Sequence, residues 1–369
     1  MPRRRAGARW HAEPVTSTPV AARDAVQQLP AYVPGARAGT DGRTHKLSSN
    51  ENPYPPLASV QRAIEAAAGD VNRYPDMFAT DLTHALGAKH GVDPSGVVAG
   101  NGSVAVLGHA LQAYCDAGDE VVYAWRSFEA YPILVRLQGA VPVEVPVTPE
   151  GRHDLPAMAA AVTERTRVVL VCSPNNPTGP AVRHGELVEL LAAVPERVLV
   201  VLDEAYTEFV RDADPIDSAR ILADHPNVLL LRTFSKAYGL AGLRVGYAVG
   251  HPDVVRPVRT ASTPFGVNHL AQVAALASLD AEAELRARVD SVVEERRRLV
   301  AGLRAQGWSV PDSQGNFVWL ATGERTVDLA ADAVRNGVLV RPFLGEGIRI
   351  SVGSPEANDA VLALAATWR

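Results

Sequence analysis

The sequence predicts an α/β fold: a large domain with a mostly parallel sheet covered by helices on both faces, plus a smaller, discontinuous α+β domain. From residue 97 onward, short apolar runs alternate with amphipathic helical stretches, which is the pattern of parallel βαβ units. Three strand-like segments and a closing helix follow after residue 306. The 369 residues also exceed one core of ordinary size, which favours two domains.

The elements are predicted in the following order. Helical patterning at 57–69 and 78–90 precedes apolar runs, typical of buried strands, at 121–125, 141–147, 167–172, 197–206 and 227–236. Residues 272–306 are strongly helical and suit a long connector, which leads to the strand-like segments NFVWLAT, VLVRPF and IRISVG and to a helix at 355–368. We therefore expect a large domain over 57–271, a small domain from 26–56 plus 272–369, and a mobile arm over 1–25.

Composition argues against several classes of partner. A net charge of −5 and a pI of about 6.1 favour neither nucleic acid nor an anionic membrane. Cys115 and Cys172 form no metal-binding or disulfide pattern, so we expect no metal and a reducing, cytoplasmic location. The basic start lacks the apolar stretch of a secretory signal, and no run has the roughly 18 apolar residues of a membrane helix.

Polar side chains follow three of the apolar runs at the point where each run ends. They are Asn175 and Asn176 after VVLVC, Asp203 and Tyr206 after VLVVL, and Thr233, Ser235 and Lys236 after VLLLR. Each has an ordinary alternative, since Asn176 suits a turn and Asp203 a helix N-cap. Tyr206 could be a core ring and Lys236 a surface side chain. Ligands bind at the carboxyl ends of parallel strands, so the combination favours a functional site.

A glycine loop, Gly100-Asn101-Gly102-Ser103, lies between an apolar run and a helix. Backbone N–H groups at such a helix start can bind phosphate, although a tight strand–helix turn would show the same pattern. The stretch also matches the dinucleotide fingerprint G-x-G-x-x-A, and Arg126 after the next run could bind a 2′-phosphate. An NADP oxidoreductase is therefore an alternative, but it leaves Lys236 and the residues around it unexplained.

A lysine, an acid and a phosphate cradle together fit pyridoxal phosphate. This cofactor needs a lysine to bind its aldehyde, an acid against its ring nitrogen and donors for its phosphate. Lys236 and Asp203 supply the first two groups. Ser235 and Arg244, which flank the lysine in TFSKAYGLAGLR, can bind the phosphate, with arginine acting as a fork.

Several segments resemble the fold type I pyridoxal-phosphate aminotransferases. They are CSPNNPTG, VLDEAYTEF, RTFSKAYGLAGLRVGY and IRISVGSPEAN, and YVPG and LSSNENPYPP are similar to those of the histidinol-phosphate aminotransferase family. The resemblance extends over nearly the whole chain from about residue 25. Some pyridoxal-phosphate folds serve in transcription regulators, but the first 30 residues are too short for the DNA-binding domain that those proteins need.

The resemblance implies a role for each matching residue. Lys236 would form the internal aldimine and move the proton between the substrate Cα and the cofactor C4′, and Asp203 would pair with the ring nitrogen. Asn176 and Tyr206 would hydrogen-bond the 3′ oxygen, and Phe128 would stack on the ring unless it is ordinary core. The residues implied around the phosphate are Asn101, Gly102, Ser103, Thr233, Ser235 and Arg244.

Substrate binding and assembly are implied in the same way. Arg349, with Asn176 beside the substrate, would bind the α-carboxylate, although an exposed strand position is the ordinary interpretation of such an arginine. Tyr54 would reach the phosphate of a neighbouring subunit, which requires a homodimer with shared active sites.

The choice of amino donor also follows from resemblance. SVAV after the glycine loop and the compact RPFLGEGIRI depart from the histidinol-phosphate pattern, whereas WRSFEAYP and TPFGVNHLAQ resemble the aromatic, phenylalanine-type branch. We therefore predict transamination between an aromatic amino acid and 2-oxoglutarate. Tyr32 and Arg341 match positions that bind the phosphate in histidinol-phosphate enzymes, so that activity is the alternative.

Overall fold

The computed structural model describes residues 20–27, 29 and 44–368. Tyr32 and residues 1–19 of the expected arm lie outside the described residues, as does most of the loop before residue 44. The arm and the division into two domains therefore stay predictions.

Twelve strands occur within the described residues, and they form one large sheet and two small ones. They are β1 His45–Lys46, β2 Val97–Gly100, β3 Glu120–Trp125, β4 Val141–Pro146, β5 Thr166–Cys172, β6 Leu199–Asp203, β7 Val228–Thr233, β8 Gly246–Gly250, β9 Phe317–Leu320, β10 Val338–Leu339, β11 Arg341–Phe343 and β12 Gly347–Ser351. The five apolar runs identified in the sequence form β3 to β7, so those strand predictions are confirmed.

Thirteen α-helices occur in the same part of the chain. They are α1 Asp24–Gln27, α2 Ala58–Ala67, α3 Thr80–His90, α4 Ser103–Tyr114, α5 Ala130–Leu137, α6 Leu155–Ala160, α7 His184–Ala193, α8 Ser218–Asp224, α9 Pro252–Ala261, α10 His269–Asp280, α11 Glu282–Ala305, α12 Thr326–Arg335 and α13 Pro355–Thr367. Local chemistry sets where helices begin: Asn268 caps α10, and Ser354 caps α13 ahead of a proline at the first helical position. The predicted closing helix is confirmed as α13.

The large sheet has the order β2-β8-β7-β6-β5-β3-β4, and its strands from β4 to β7 are parallel. Central strands are apolar throughout because helices cover both faces. In β5, Val169 and Val171 belong to one core cluster, whereas Val168 and Leu170 belong to the other, and all four are at most 1% exposed. The predicted α/β fold is confirmed.

Strands β8 and β2 complete the sheet and run antiparallel to their neighbours. Strand β8, in the glycine-rich stretch after Arg244, was not among the strands predicted from the sequence. In the register, Thr233 at the end of β7 pairs with Gly246 at the start of β8, and Gly246 pairs with Gly100 at the end of β2. The glycine loop after β2 and the segment before β8 therefore lie at the same edge as the ends of the parallel strands.

Two small sheets follow in the C-terminal part. Strands β11, β12 and β9 form an antiparallel sheet, and β10 pairs in parallel with β1. The segment VLVRPF, predicted as one strand, is divided at Val340 because β10 and β11 pair with different partners.

The helical prediction over 272–306 is confirmed, but the range contains two helices, α10 and α11, which are separated at Ala281. The two helices pack on different partners. The alanine-rich α10 contacts α2 and α3, whereas α11 contacts α13 and carries most of the charged residues. Their different packing explains a break that helical propensity alone does not indicate.

Candidate active site

A cavity of about 240 Å³ opens at the carboxyl end of the parallel strands. It brings together six of the seven polar residues selected at β6, β7 and the turn after β5, whereas Asn175 does not line it. The lining consists of Ser48, Ser49, Glu51, Ser103, Val104, Phe128, Glu129, Cys172, Asn176, Asp203, Ala205, Tyr206, Thr233, Ser235, Lys236, Ala241, Arg244, Arg341, Phe343 and Arg349.

Lys236 follows β7 by three residues and projects into this cavity. Its Nζ donates a hydrogen bond to the carbonyl oxygen of Ser49 at 3.0 Å. Burial, followed by the nearby positive charge of Arg349, lowers the pKa of Lys236 to about 7. An amine with this pKa is partly neutral near pH 7, which is the form that attacks a carbonyl.

Asp203 ends β6 and is buried at the floor of the cavity. Its Oδ2 accepts a hydrogen bond from the Tyr131 hydroxyl at 2.7 Å, while Oδ1 has no hydrogen-bond partner among the described residues. Burial raises the pKa of Asp203 to about 6, and the Tyr131 hydrogen bond opposes that rise. One carboxylate oxygen is thus held in place, and the other is left for a donor inside the cavity.

Arg349 in β12 and Asn176 after β5 meet at the side of the cavity. Nη1 of Arg349 donates to Asn176 Oδ1 at 2.6 Å, and Nη2 donates to the Ser48 carbonyl oxygen at 2.7 Å. Arg349 is only 7% exposed. The ordinary interpretation of this residue, an exposed strand position, is therefore wrong, because β12 turns its side chain into the cavity.

Tyr206 is held by Asn50, a residue that the sequence analysis did not select. Nδ2 of Asn50 donates to the Tyr206 hydroxyl at 3.0 Å, and the Tyr206 ring packs edge-on against Phe317. Asn50 adopts φ +52°, and its backbone N–H donates to Ser351 Oγ. Asparagine tolerates this left-handed conformation, so the segment LSSNEN predicts a turn, although not its contact with the cavity.

A cluster of donors forms the other end of the cavity. Nη1 of Arg244 donates to Ser235 Oγ at 3.3 Å, and the N-terminus of α4 lies beside them at Ser103. Gly102 has φ +84°, and a Cβ there would collide with the Arg244 guanidinium. An arginine and the partial positive charge of a helix N-terminus thus meet at this end of the cavity.

Three of the predicted residues do not line the cavity. Asn101 is exposed, and Gly102 is buried beside the Arg244 guanidinium. Tyr54 is partly buried against the core, and its N–H donates to Asn52 Oδ1 at 3.0 Å. The role of Tyr54 toward a second subunit stays a prediction.

The remaining aromatic and charged lining comes from the loop after β3 and from β11. Phe128 packs edge-on against Tyr131, with ring centroids 5.6 Å apart. Arg341 is paired with Glu129, which the sequence analysis also missed. Tyr131 and Glu129 lie in the quoted segment WRSFEAYP, but nothing in their spacing distinguishes them from an ordinary helix start.

Arg126 is not placed to bind a 2′-phosphate in the cavity, as the NADP alternative requires. It is paired with Glu346 and does not line the cavity. The glycine loop follows β2, an edge strand that pairs only with the antiparallel β8, whereas the dinucleotide fingerprint belongs to a parallel βαβ unit. The geometry therefore does not support a dinucleotide site.

Comparison with known proteins identifies the family. A model of the family described as aminotransferase class I and II matches residues 44–364. The chain belongs to this family. It is accordingly a pyridoxal-phosphate-dependent aminotransferase acting on amino acid and oxo acid substrates, as the resemblance implied.

Two curated members of the family are similar over nearly their whole length. An aromatic amino acid aminotransferase of Thermobifida fusca is 56% identical, with 94% of this chain and 96% of that protein covered. An aromatic amino acid aminotransferase of Streptomyces coelicolor is 54% identical, with 93% and 96% covered.

A solved structure shows the same fold. The histidinol-phosphate aminotransferase of Sinorhizobium meliloti, in complex with pyridoxal 5′-phosphate, has a TM-score of 0.84 and 30% identity. The match covers 94% of this chain and 98% of that one.

The residues of the cavity fit pyridoxal phosphate. Oδ1 of Asp203 is a buried acceptor that lacks a donor among the described residues, as a protonated ring nitrogen would require. The Arg244 guanidinium, Ser235 and the start of α4 form a donor set suited to a phosphate. Lys236 supplies an amine of lowered pKa between these groups.

The described residues contain neither a helix long and apolar enough to span a membrane nor a cluster of three or more histidine, cysteine, aspartate or glutamate residues suited to a metal.

Proposed function

We propose that this aminotransferase transfers the amino group of an aromatic amino acid, of the phenylalanine or tyrosine type, to 2-oxoglutarate. The observation that carries the proposal is the 56% identity, over 94% of the chain, to an enzyme named for aromatic amino acids. The aromatic ring of Phe343 in the cavity lining supports it, since it offers an apolar contact to a ring-bearing side chain.

The residues of the cavity are proposed to divide the work as follows. Bound pyridoxal phosphate supplies an electron sink for the negative charge that develops at the substrate Cα. Lys236 holds the cofactor covalently and then moves the proton between Cα and the cofactor C4′. Asp203 keeps the ring nitrogen protonated, because its buried carboxylate is stabilised by a positive partner. Asn176 and Tyr206 bind the 3′ oxygen.

The substrate is proposed to be oriented by two sets of donors, one that binds the cofactor phosphate and one that binds the substrate α-carboxylate. Ser103, Thr233, Ser235 and Arg244, with the backbone at Asn101 and Gly102, bind the cofactor phosphate. Arg349 binds the α-carboxylate as a two-pronged donor, because a guanidinium matches the geometry of a carboxylate. The donor thereby lies with Cα beside Lys236.

Histidinol phosphate is the second candidate donor. The 30% identity to the Sinorhizobium meliloti enzyme and the presence of Arg341 in the cavity favour it. The deciding experiment compares kcat/KM for phenylalanine and histidinol phosphate on the holoenzyme, with 2-oxoglutarate as acceptor. We expect phenylalanine to be preferred; a higher kcat/KM for histidinol phosphate overturns the proposal.

We infer that the enzyme is a cytoplasmic homodimer with shared active sites. Tyr74 (83% exposed) packs on Phe265 with ring centroids 4.7 Å apart, and Phe78 adds a further exposed ring. The patch adjoins the phosphate end of the cavity, because Asn268 Nδ2 donates to the carbonyl oxygen of Leu243, next to Arg244. A second copy of this chain is the proposed occupant.

Light scattering after size exclusion tests the dimer. Tyr74→Ser should give monomers and reduce cofactor retention, whereas Val327→Ser, at an apolar position of α12 that is 56% exposed, should leave the dimer intact. A wild-type monomer with full activity contradicts the inference.

A further inference from the structure

Two arginines lie opposite each other at one end of the cavity. Arg341 in β11 and Arg349 in β12 are direct cross-strand partners, and their guanidinium carbons lie 5.8 and 5.9 Å from the centre of the Phe343 ring. Each residue is 7% exposed. Like charges placed directly opposite each other destabilise a strand pair, most of all where water is excluded. Such a pair therefore requires negative charge nearby.

Glu129 supplies negative charge from within the protein. Its Oε2 accepts hydrogen bonds from Nη2 of Arg341 at 2.6 Å and from Nε at 3.2 Å. Glu129 occupies the N-cap position of α5, yet its side chain caps no N–H group of that helix. The carboxylate reaches across to β11 instead, and both residues of the pair line the cavity.

The Glu129 carboxylate offsets the positive charge that Arg341 brings to this end of the cavity. Nη1 and Nη2 of Arg349 donate to the oxygens of Asn176 and Ser48 at the same end. A ligand bound here therefore meets the Glu129 carboxylate beside Arg341. A carboxylate ligand carries one negative charge, and a phosphate monoester carries nearly two at pH 7.

We propose that Glu129 is a specificity-determining residue. By neutralising Arg341 it matches this end of the cavity to a carboxylate, and it disfavours a substrate with a phosphate ester in that place. A phosphate that approached Arg341 would meet the Glu129 carboxylate and be repelled by it. The inference rests on the proposed function, in which Arg349 binds the α-carboxylate.

Glu129→Gln tests the proposal because it removes the charge and keeps the shape. The matched control is Glu346→Gln, since Glu346 pairs with Arg126 between the same two segments, the loop after β3 and the β11–β12 hairpin, but does not line the cavity. The probes are 3-phenylpropionate and 3-phenylpropyl phosphate, which share a ring and differ in their charged end. Their dissociation constants are measured by calorimetry on each holoenzyme, alongside kcat/KM for phenylalanine and histidinol phosphate.

We expect Glu129→Gln to shift the affinity ratio toward the phosphate by about tenfold or more, as for gaining a charge-assisted hydrogen bond. The change should fall on Kd and KM rather than on kcat. The double variant Glu129→Gln, Arg341→Gln should lose the gain, and Glu346→Gln should keep the wild-type ratio within about twofold.

An unchanged ratio in Glu129→Gln, or an equal shift in Glu346→Gln, overturns the proposal. If Glu129→Gln does not fold, Glu129→Ser gives the same comparison. The affinity ratio of each variant is compared with that of the wild type. The test of Glu129 therefore does not depend on which amino donor the wild type prefers. A wild type that prefers histidinol phosphate contradicts the aromatic assignment, while a further shift in Glu129→Gln still supports the role of Glu129.

Discussion

The Tyr131 hydroxyl donates a hydrogen bond to Oδ2 of Asp203 at 2.7 Å and thereby orients the carboxylate whose Oδ1 is left without a partner among the described residues. Tyr131 is itself held, since it is 1% exposed and its ring packs edge-on against Phe128. A single buried phenol therefore positions the acid that is proposed to meet the cofactor ring nitrogen.

Tyr131→Phe should retain bound cofactor and lower turnover. The hydrogen bond from Tyr131 lowers the pKa of Asp203, so its removal should raise that pKa further above the ordinary range. Less of the carboxylate is then ionised under acidic conditions, and the loss of kcat should be several-fold at about pH 6 and smaller at about pH 8. The same fractional loss at every pH would indicate a packing defect instead.

Asp203→Asn should remove most turnover and yet stabilise the apoenzyme. Burial raises the pKa of Asp203 from 3.8 to about 6, so the folded state holds a proton that the unfolded state has lost between these values. The contribution of Asp203 to the free energy of unfolding therefore falls as pH rises from about 4 to 6. Above pH 6 the folded state carries the full cost of burying an ionised carboxylate. Asparagine removes that penalty.

Thermal unfolding of the apoenzymes checks the sign. Asp203→Asn should raise the free energy of unfolding on the order of 1–3 kcal/mol at about pH 8 and much less at about pH 4. Absorbance on the reconstituted variant should show retained cofactor. Near-normal kcat would contradict the role proposed for Asp203, whereas a pH-independent stability change would contradict the burial argument.

The sequence was most informative for the strands that are buried on both faces of the sheet. Strands β3 to β7 were predicted because a strand covered on both faces must be apolar throughout, and their ends then located Asp203 and Lys236. Strand β8 was missed because it contains two glycines, which carry no apolar signal. The break at Ala281 was missed because both sides of it are strongly helical in sequence.

Residues that act through distant contacts were not predictable from one sequence. The hydrogen bond from Lys236 to Ser49 spans 187 positions, and that from Arg341 to Glu129 spans 212. Glu129 at a helix start and Tyr131 two residues after it look like ordinary capping and core residues. Only the fold shows that both side chains are directed at the cavity and its acid.

Lys236 should control how fast the apoenzyme takes up pyridoxal phosphate. Burial and then the charge of Arg349 lower its pKa to about 7, so the uptake rate should rise with pH through about 7 and level off above it. Arg349→Gln should move the midpoint to higher pH, because it removes a neighbouring positive charge. Stopped-flow absorbance measures both midpoints.

Borohydride reduction of the holoenzyme and peptide mapping identify the lysine that carries the cofactor. The label should fall on Lys236. A label on Lys46 or Lys89, neither of which lines the cavity, would refute the assignment.

Gly102→Ala should weaken binding of pyridoxal phosphate by about tenfold or more, because the new Cβ would displace the Arg244 guanidinium and strain a backbone at φ +84°. Gly118→Ala is the matched control, since Gly118 has φ +90° but a Cβ there meets nothing within 4 Å. Both variants should lose a similar amount of stability, on the order of 1 kcal/mol, for the same left-handed conformation. Dissociation constants for the cofactor should separate them. Equal losses of affinity in the two variants would mean that backbone strain, rather than the position of Arg244, governs the phosphate site.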